Sequence, residues 1–328
     1  MNKLTVKDVA REAGVSTATV SRVLNRTGYV SEPVREQVLS VVERLNFRPN
    51  SIARSLKQDR SNAIGLIVPD MTNPYFMTVA RRLQKTCVGA GFHLLFMDSE
   101  EDAGRESDAL DLLMEKRVEA IVLAATGSAS NLPKIDAIRS SGTPLVLIDR
   151  RIDRVEADFV GEDSFSASKA AVSELIDRGH SRIGIAAGPS AIATARERLD
   201  GALAALQGRG LAPAVVFEGD FTRESGRRAV RELTSGDAPP TAVFSCNNEM
   251  TYGFYLGLRD ANVDPASIEV VSFGDLEFSP LFRQRLTAIR QDPEWLGETA
   301  GELLLERIRE PHAPRRESVR VPAIERKH

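Results

Sequence analysis

Apolar residues in the first fifty positions recur with a helical period. Val6, Val9, Ala10 and Ala13 fall at i, i+3, i+4 and i+7 and make one stripe. Thr5 precedes the stripe as a helix cap, and Asp8 stands three residues on, the spacing of a reciprocal cap. Gly14 ends the helix, because glycine takes the left-handed closing conformation cheaply. After Gly14-Val15-Ser16 a second helix is predicted over Thr17 to Leu24, with Val20, Val23 and Leu24 inward. A third follows Ser31, carries Pro33 in its first turn, and turns Val34, Val38, Val41, Val42 and Leu45 inward. Two short helices joined by a tight glycine-containing turn form a helix-turn-helix. Pro49 stops any helix, and Asn50 can cap a short new one reaching Leu56 before the polar stretch Gln58 to Asn62.

From Ala63 the pattern changes to unbroken apolar runs separated by amphipathic helical stretches. The runs are Ile64–Val68, Leu94–Met97, Ala120–Leu123 and Leu145–Ile148, then Ile183–Ala186, Val215–Phe217, Ala242–Ser245 and Val270–Phe273. Runs apolar throughout are strands buried on both faces, and with helices between them they build parallel sheets. Eight units are too many for one small sheet, and the pattern lapses into charge between Arg150 and Gly161. The fold class expected is α/β: an all-α helix-turn-helix head plus two doubly wound parallel-sheet subdomains.

Charge sharpens this division. The net charge is -3, but residues 1–60 carry 11 Lys+Arg against 6 Asp+Glu, so a basic head is joined to an acidic body. That asymmetry is expected when one module meets phosphate and the other does not. In a helix-turn-helix the second helix enters the major groove with its first residues at base edges, here Thr17, Ala18 and Arg22. Arg22 can offer two parallel donors to guanine. Thr5, Ser16, Thr19, Ser21 and Asn25 are short polar groups suited to phosphate oxygens, which set register without reading sequence.

In doubly wound sheets ligands bind beyond the carboxyl ends of the strands. The residues there are Asp70 to Phe76 after the first run, Asp149 and Arg150 after the fourth, and Thr194, Arg196 and Arg198 following the fifth. Asn247 and Asn248 follow the seventh, and Gly274 and Asp275 the eighth. With Tyr75 and Phe76 as an aromatic platform, this is the inventory of a cleft for a small polar ligand.

Other functions lose ground on motif content. There is no G-x-G-x-x-G after the first strand, no Walker-type loop and no placed hydrolase nucleophile, so an enzyme is not expected. Cys87 and Cys246 have no metal-ligand spacing and read as reduced thiols, so no metal or cofactor is implied. The segment Met1 to Asp8 has no apolar signal core and no run is long enough to span a bilayer, which points to a cytoplasmic protein without membrane contact.

The segments Val6-Lys7-Asp8-Val9-Ala10, Ala13-Gly14-Val15-Ser16, Thr19-Val20-Ser21-Arg22-Val23-Leu24-Asn25, Pro49-Asn50 and Ala53-Arg54-Ser55-Leu56 together resemble the head of the LacI/GalR (lactose-repressor/galactose-repressor) family. The body resembles it too, through Asn73-Pro74-Tyr75-Phe76, Asp149-Arg150-Arg151, Arg198-Leu199-Asp200-Gly201 and Asn247-Asn248-Glu249-Met250. The resemblance implies a transcriptional repressor that binds a palindromic double-stranded DNA operator as a homodimer under control of a small-molecule effector. It implies a head over residues 1–48, a hinge helix and linker over 49–61, and a periplasmic-binding-protein-like core over 62–328. Core subdomains of about 62–159 with 290–317, and 160–288 with 318–328, follow from three crossings. Asn50, Ala53 and Leu56 would belong to the hinge helix, with Leu56 a wedge in the minor groove. Arg198 would bond effector oxygens, Phe76 would pack on the ligand, and Asn247 would donate from the far wall.

One position departs from the family. Many members of the family it resembles carry an aspartate where Gly274 stands, and that carboxylate accepts from a sugar hydroxyl. Its loss, with Arg150, Arg196 and Arg198 nearby, points to an effector bearing an anionic group such as a sugar acid. The alternative is that Asp275 takes over the role and the effector is a neutral sugar or polyol. Dimer contacts are expected from the core, and no terminal heptad repeat is present to build a tetramer.

Overall fold

A computed structural model of the chain describes residues 4–25, 27–47, 61–152, 154–235, 238–276 and 286–327. The chain divides after Ser61 into two compact units. Asn50, Ala53, Leu56 and the rest of the expected hinge and linker before Ser61 lie outside the described residues, as does the side chain of Asn25.

The first unit is a three-helix head: α1 (Val6–Glu12), α2 (Thr17–Asn25) and α3 (Glu32–Arg44). Val9, Ala10, Ala13, Val20, Val23, Val38, Val41 and Phe47 form its core, largely the positions the helical stripes select. Both ends of α1 are fixed locally. The Asp8 carboxylate accepts from the Thr5 amide at 2.9 Å and the Thr5 hydroxyl at 2.7 Å, and these bonds hold it below the usual carboxylate range. Gly14 has φ +58°, a conformation that a side chain disfavours, so the chain can turn directly into α2.

The second unit contains two six-stranded sheets. The first lobe has β1 (Ala63–Val68), α4 (Pro74–Gly89), β2 (His93–Asp98), α5 (Ala103–Glu115), β3 (Ala120–Leu123), α6 (Leu132–Ser140), β4 (Leu145–Ile148) and β5 (Asp158–Glu162). The second has α7 (Ser164–Asp177), β6 (Ile183–Ala187), α8 (Ala193–Gln207), β7 (Val215–Glu218), α9 (Arg223–Thr234), β8 (Ala242–Ser245), α10 (Asn248–Asp260), β9 (Glu269–Phe273) and β10 (Leu286–Arg290). The chain then returns through α11 (Pro293–Arg309) and β11 (Glu317–Arg320) before ending on β12 (Ala323–Lys327). Strand orders are β11-β5-β4-β3-β1-β2 and β12-β10-β9-β8-β6-β7, and every pairing is parallel except β10 with β12. Helices cover both faces of the first sheet: Val79 and Leu83 with Leu296 and Leu304 on one side, Leu110 and Leu113 with Ile135 and Ile138 on the other.

The lobe boundaries differ by a few residues from those expected. Residues 160–162 and 318–320 belong to the first sheet, because β5 pairs with β4 and β11 pairs with β5. The second sheet likewise holds β10 as far as Arg290. Charged Asp158 and Glu162 bracket the short apolar centre of β5, so the expected break between lobes falls on a strand. The crossings lie beyond Glu162, beyond Arg290 and beyond Arg320.

Candidate functional site

On the head, Thr17, Ala18 and Arg22 are exposed at the start and along the outer face of α2, with no core contact. Ser16 and Thr19 are committed locally. The Ser16 hydroxyl accepts from the Thr19 amide at 3.1 Å and lies 2.9 Å from its hydroxyl, capping α2. Thr5 is similarly engaged with Asp8. Their hydroxyls therefore fix the starts of α1 and α2. Tyr29 is 91% exposed, two residues before the cap of α3.

In the core, residues of both lobes line one cleft with a volume of about 850 Å³. The strand ends deliver them, as parallel topology requires. Asp149 follows β4, is buried, and accepts from the Tyr75 hydroxyl at 3.2 Å. Burial, then the Asp149 and Glu162 charges, push the Tyr75 phenol well above its ordinary value, so it stays a donor. Across the lobes Asp149 faces Arg198 of α8 at 3.9 Å. Arg198 is 5% exposed, donates to the Cys246 carbonyl at 2.9 Å, and lies 3.7 Å from the centre of the Phe273 ring. The Thr194 hydroxyl is buried in the cleft wall with no hydrogen-bond partner among the described residues. Phe76 packs edge-on to Tyr75, ring centres 5.0 Å apart, and closes the floor with Phe221 opposite.

Four expected site residues behave differently. Arg196 does not line the cleft; it donates to the carbonyls of Ser190 and Ala191, both at 2.9 Å, and braces the loop before α8. Asp275 pairs with Lys327 at 2.9 Å and lines an adjoining cavity of about 640 Å³ that shares Tyr75, Asn248 and Gln291 with the cleft. The Asn247 amide is spent on structure: it accepts from the Met250 amide at 2.8 Å, capping α10, and donates to the Phe221 carbonyl at 3.0 Å. Arg150 does line the cleft but carries a bidentate partner, Glu101, at 2.6 and 2.7 Å. Gly274 has φ +91°, and a Cβ there would lie 3.1 Å from Gln291 and 3.3 Å from Asn248, so the backbone itself disfavours a side chain at that corner.

The cation surplus behind the expected anionic effector is therefore absent. Arg150 and Arg223 are each paired to a carboxylate, Glu101 and Glu249, and Arg198 faces Asp149. Asp70, Asp98 and Asp220 add further negative charge to the lining.

Gln291 lines the cleft but lay beyond the strand-end reading, whereas Asn248 was named in it without its partner. Gln291 follows β10, whose short apolar centre gave no run, and donates to buried Glu162 at 2.9 Å. Asn248 exchanges two hydrogen bonds with Asn73 of the opposite lobe, at 3.2 and 3.1 Å. This reciprocal amide pair holds the lobes together beside the cleft.

Residues 5–50 match the bacterial regulatory proteins of the lacI family, and residues 61–328 match the periplasmic binding proteins and sugar binding domain of LacI family. The chain is 35% identical over 311 residues to the ribose operon repressor of Escherichia coli (strain K12), covering 94% of each. It is 34% identical over 315 residues to the HTH-type transcriptional repressor PurR of Photobacterium profundum, covering 95% of this chain and 94% of that one. A solved lac repressor dimer, bound to operator and the anti-inducer ONPF, matches over 99% of both chains with a TM-score of 0.85 at 25% identity. A helix-turn-helix head and a two-lobed core with its cleft thus occur in the same order along relatives of nearly full length, and the chain belongs to the LacI family of bacterial regulatory proteins.

Proposed function

We propose that the protein is a transcriptional repressor that binds a two-fold-symmetric DNA operator as a homodimer and is controlled by a small polyhydroxylated metabolite in the interlobe cleft. The observation that carries this is the pairing, in one chain, of an exposed α2 face with a cleft lined by both lobes. Arg22, Thr17 and Ala18 read base edges, and the basic head supplies attraction to phosphate. The hinge residues Asn50, Ala53 and Leu56, outside the described residues, are assigned to DNA binding as well, with Leu56 as the minor-groove wedge. In the cleft, Arg198, Asp149, Tyr75 and Thr194 offer donors and acceptors to hydroxyl groups, and Phe76 and Phe221 cover apolar edges. The ribose operon repressor among the relatives makes ribose the first effector to test.

Control requires that the effector bind the operator-competent and the incompetent states with different affinity; equal affinities would shift nothing. A ligand that touches both lobes can do this by fixing their separation. The test is a gel-shift titration of the full chain with operator DNA, with and without ribose. Retarded DNA whose midpoint moves with ribose supports the reading. Failure to retard any DNA would overturn it.

A further inference from the structure

We propose that Glu101 is the charge-selecting residue of the cleft: its carboxylate occupies the guanidinium fork of Arg150 and reserves the cleft for uncharged ligands. This deepens the effector reading above and rests on it.

Arg150 is 4% exposed and lines the cleft. Its Nη1 donates to Glu101 Oε2 at 2.7 Å and its Nη2 to Glu101 Oε1 at 2.6 Å, while Nη1 also reaches the Ala125 carbonyl at 3.1 Å. Two parallel bonds from one guanidinium are the geometry with which arginine captures a carboxylate or phosphate on a ligand. Here the protein supplies that carboxylate itself, where a ligand's would sit.

The loop behind Glu101 is built to hold it there. Glu100 and Glu101 both have left-handed backbones, φ 48° and 56°, which side-chain-bearing residues rarely adopt in succession. The Glu101 amide donates to the Pro69 carbonyl at 3.0 Å and the Glu100 amide to Asp98 at 2.9 Å. Strained backbone that the surroundings over-determine is a mark of functional positions. Arg150 is buried, and stripping Glu101 would leave its guanidinium only the longer pairing with Asp149, 3.7 Å from Nε, in low dielectric. An anionic ligand must therefore displace Glu101 and leave two carboxyl groups crowded beside one guanidinium. A hydroxyl-bearing ligand needs no displacement, because the paired oxygens of Glu101 still accept from it.

The experiment uses the full chain with three probes, ribose, ribonate and inorganic phosphate, by calorimetry. Circular dichroism confirms folding of each variant. Glu101→Ala opens the fork, and Glu101→Gln keeps the shape while removing the charge. The wild type is expected to take up no saturable phosphate and to prefer ribose over ribonate by at least about 100-fold, as like-charge rejection in a closed site implies. Both variants are expected to gain saturable phosphate binding and to narrow the ribose preference at least about tenfold. Adding Arg150→Gln to either should abolish the gain. Phosphate binding as tight in wild type as in the variants overturns the proposal, as does a gain that survives Arg150→Gln or folded variants that gain nothing. If ribose fails to bind while the phosphate results come out as expected, the choice of sugar falls and the charge selection by Glu101 stands.

Discussion

The guanidinium of Arg22 is exposed on the outer face of α2, whereas that of Arg198 is buried among a carbonyl, a ring face and a carboxylate. The two should respond differently to removal. Arg22→Ala is expected to weaken operator binding by ~1–3 kcal/mol and to relax preference at one base position, the signature of a lost bidentate base contact. Binding to a set of single-base operator variants checks it, and a uniform loss across the set would reassign Arg22 to phosphate. Arg198→Ala should leave operator binding near wild type without effector and reduce effector affinity by roughly 10- to 100-fold, the value of a charged hydrogen bond. Glu162 makes a pH prediction. Burial raises its carboxyl from 4.5 to about 7, against the opposing bonds from Asp292 and Gln291. Between those pH values the folded chain then holds more protons than the unfolded one, so this group's contribution to stability declines as pH rises from 4.5 to 7 and is flat above. Glu162→Gln should remove a decline of at most about 3 kcal/mol, read as the wild-type-minus-variant difference in urea unfolding. A difference that does not change with pH would contradict the raised value.

At the scale of elements, the strands buried on both faces were legible because nothing interrupts their apolar runs. β5, β10, β11 and β12 were not, for a physical reason. Asp158 and Glu162 flank β5, and β11 and β12 are edge strands carrying Glu317, Arg320, Glu325 and Arg326. The strand-end rule found Asp149, Arg150, Thr194 and Arg198, since parallel strands all end at the cleft. It could not find their partners. Whether Arg150 is available to a ligand depends on Glu101, which comes from a different strand end 49 residues away. The Asn73–Asn248 pair is equally invisible to spacing, as its members start α4 and α10 in opposite lobes. If this pair links the lobes, Asn73→Ala and Asn248→Ala should be non-additive in unfolding free energy, with a coupling of about 0.5–1.5 kcal/mol. Strict additivity of the two substitutions would show that each acts only on its own helix start.

For the whole molecule, the separation of charge sets the division of labour. The head is basic in a chain of net charge -3, so operator binding should weaken steeply with added salt while effector binding should barely change. The central claim is that two heads read a symmetric site. The most direct test is selection of bound sequences from a random DNA pool with the purified full chain. The account predicts enrichment of a palindrome with two half-sites in inverted repeat, spaced to suit a two-fold dimer. Recovery of a single asymmetric half-site, or no enrichment over the starting pool, would contradict it.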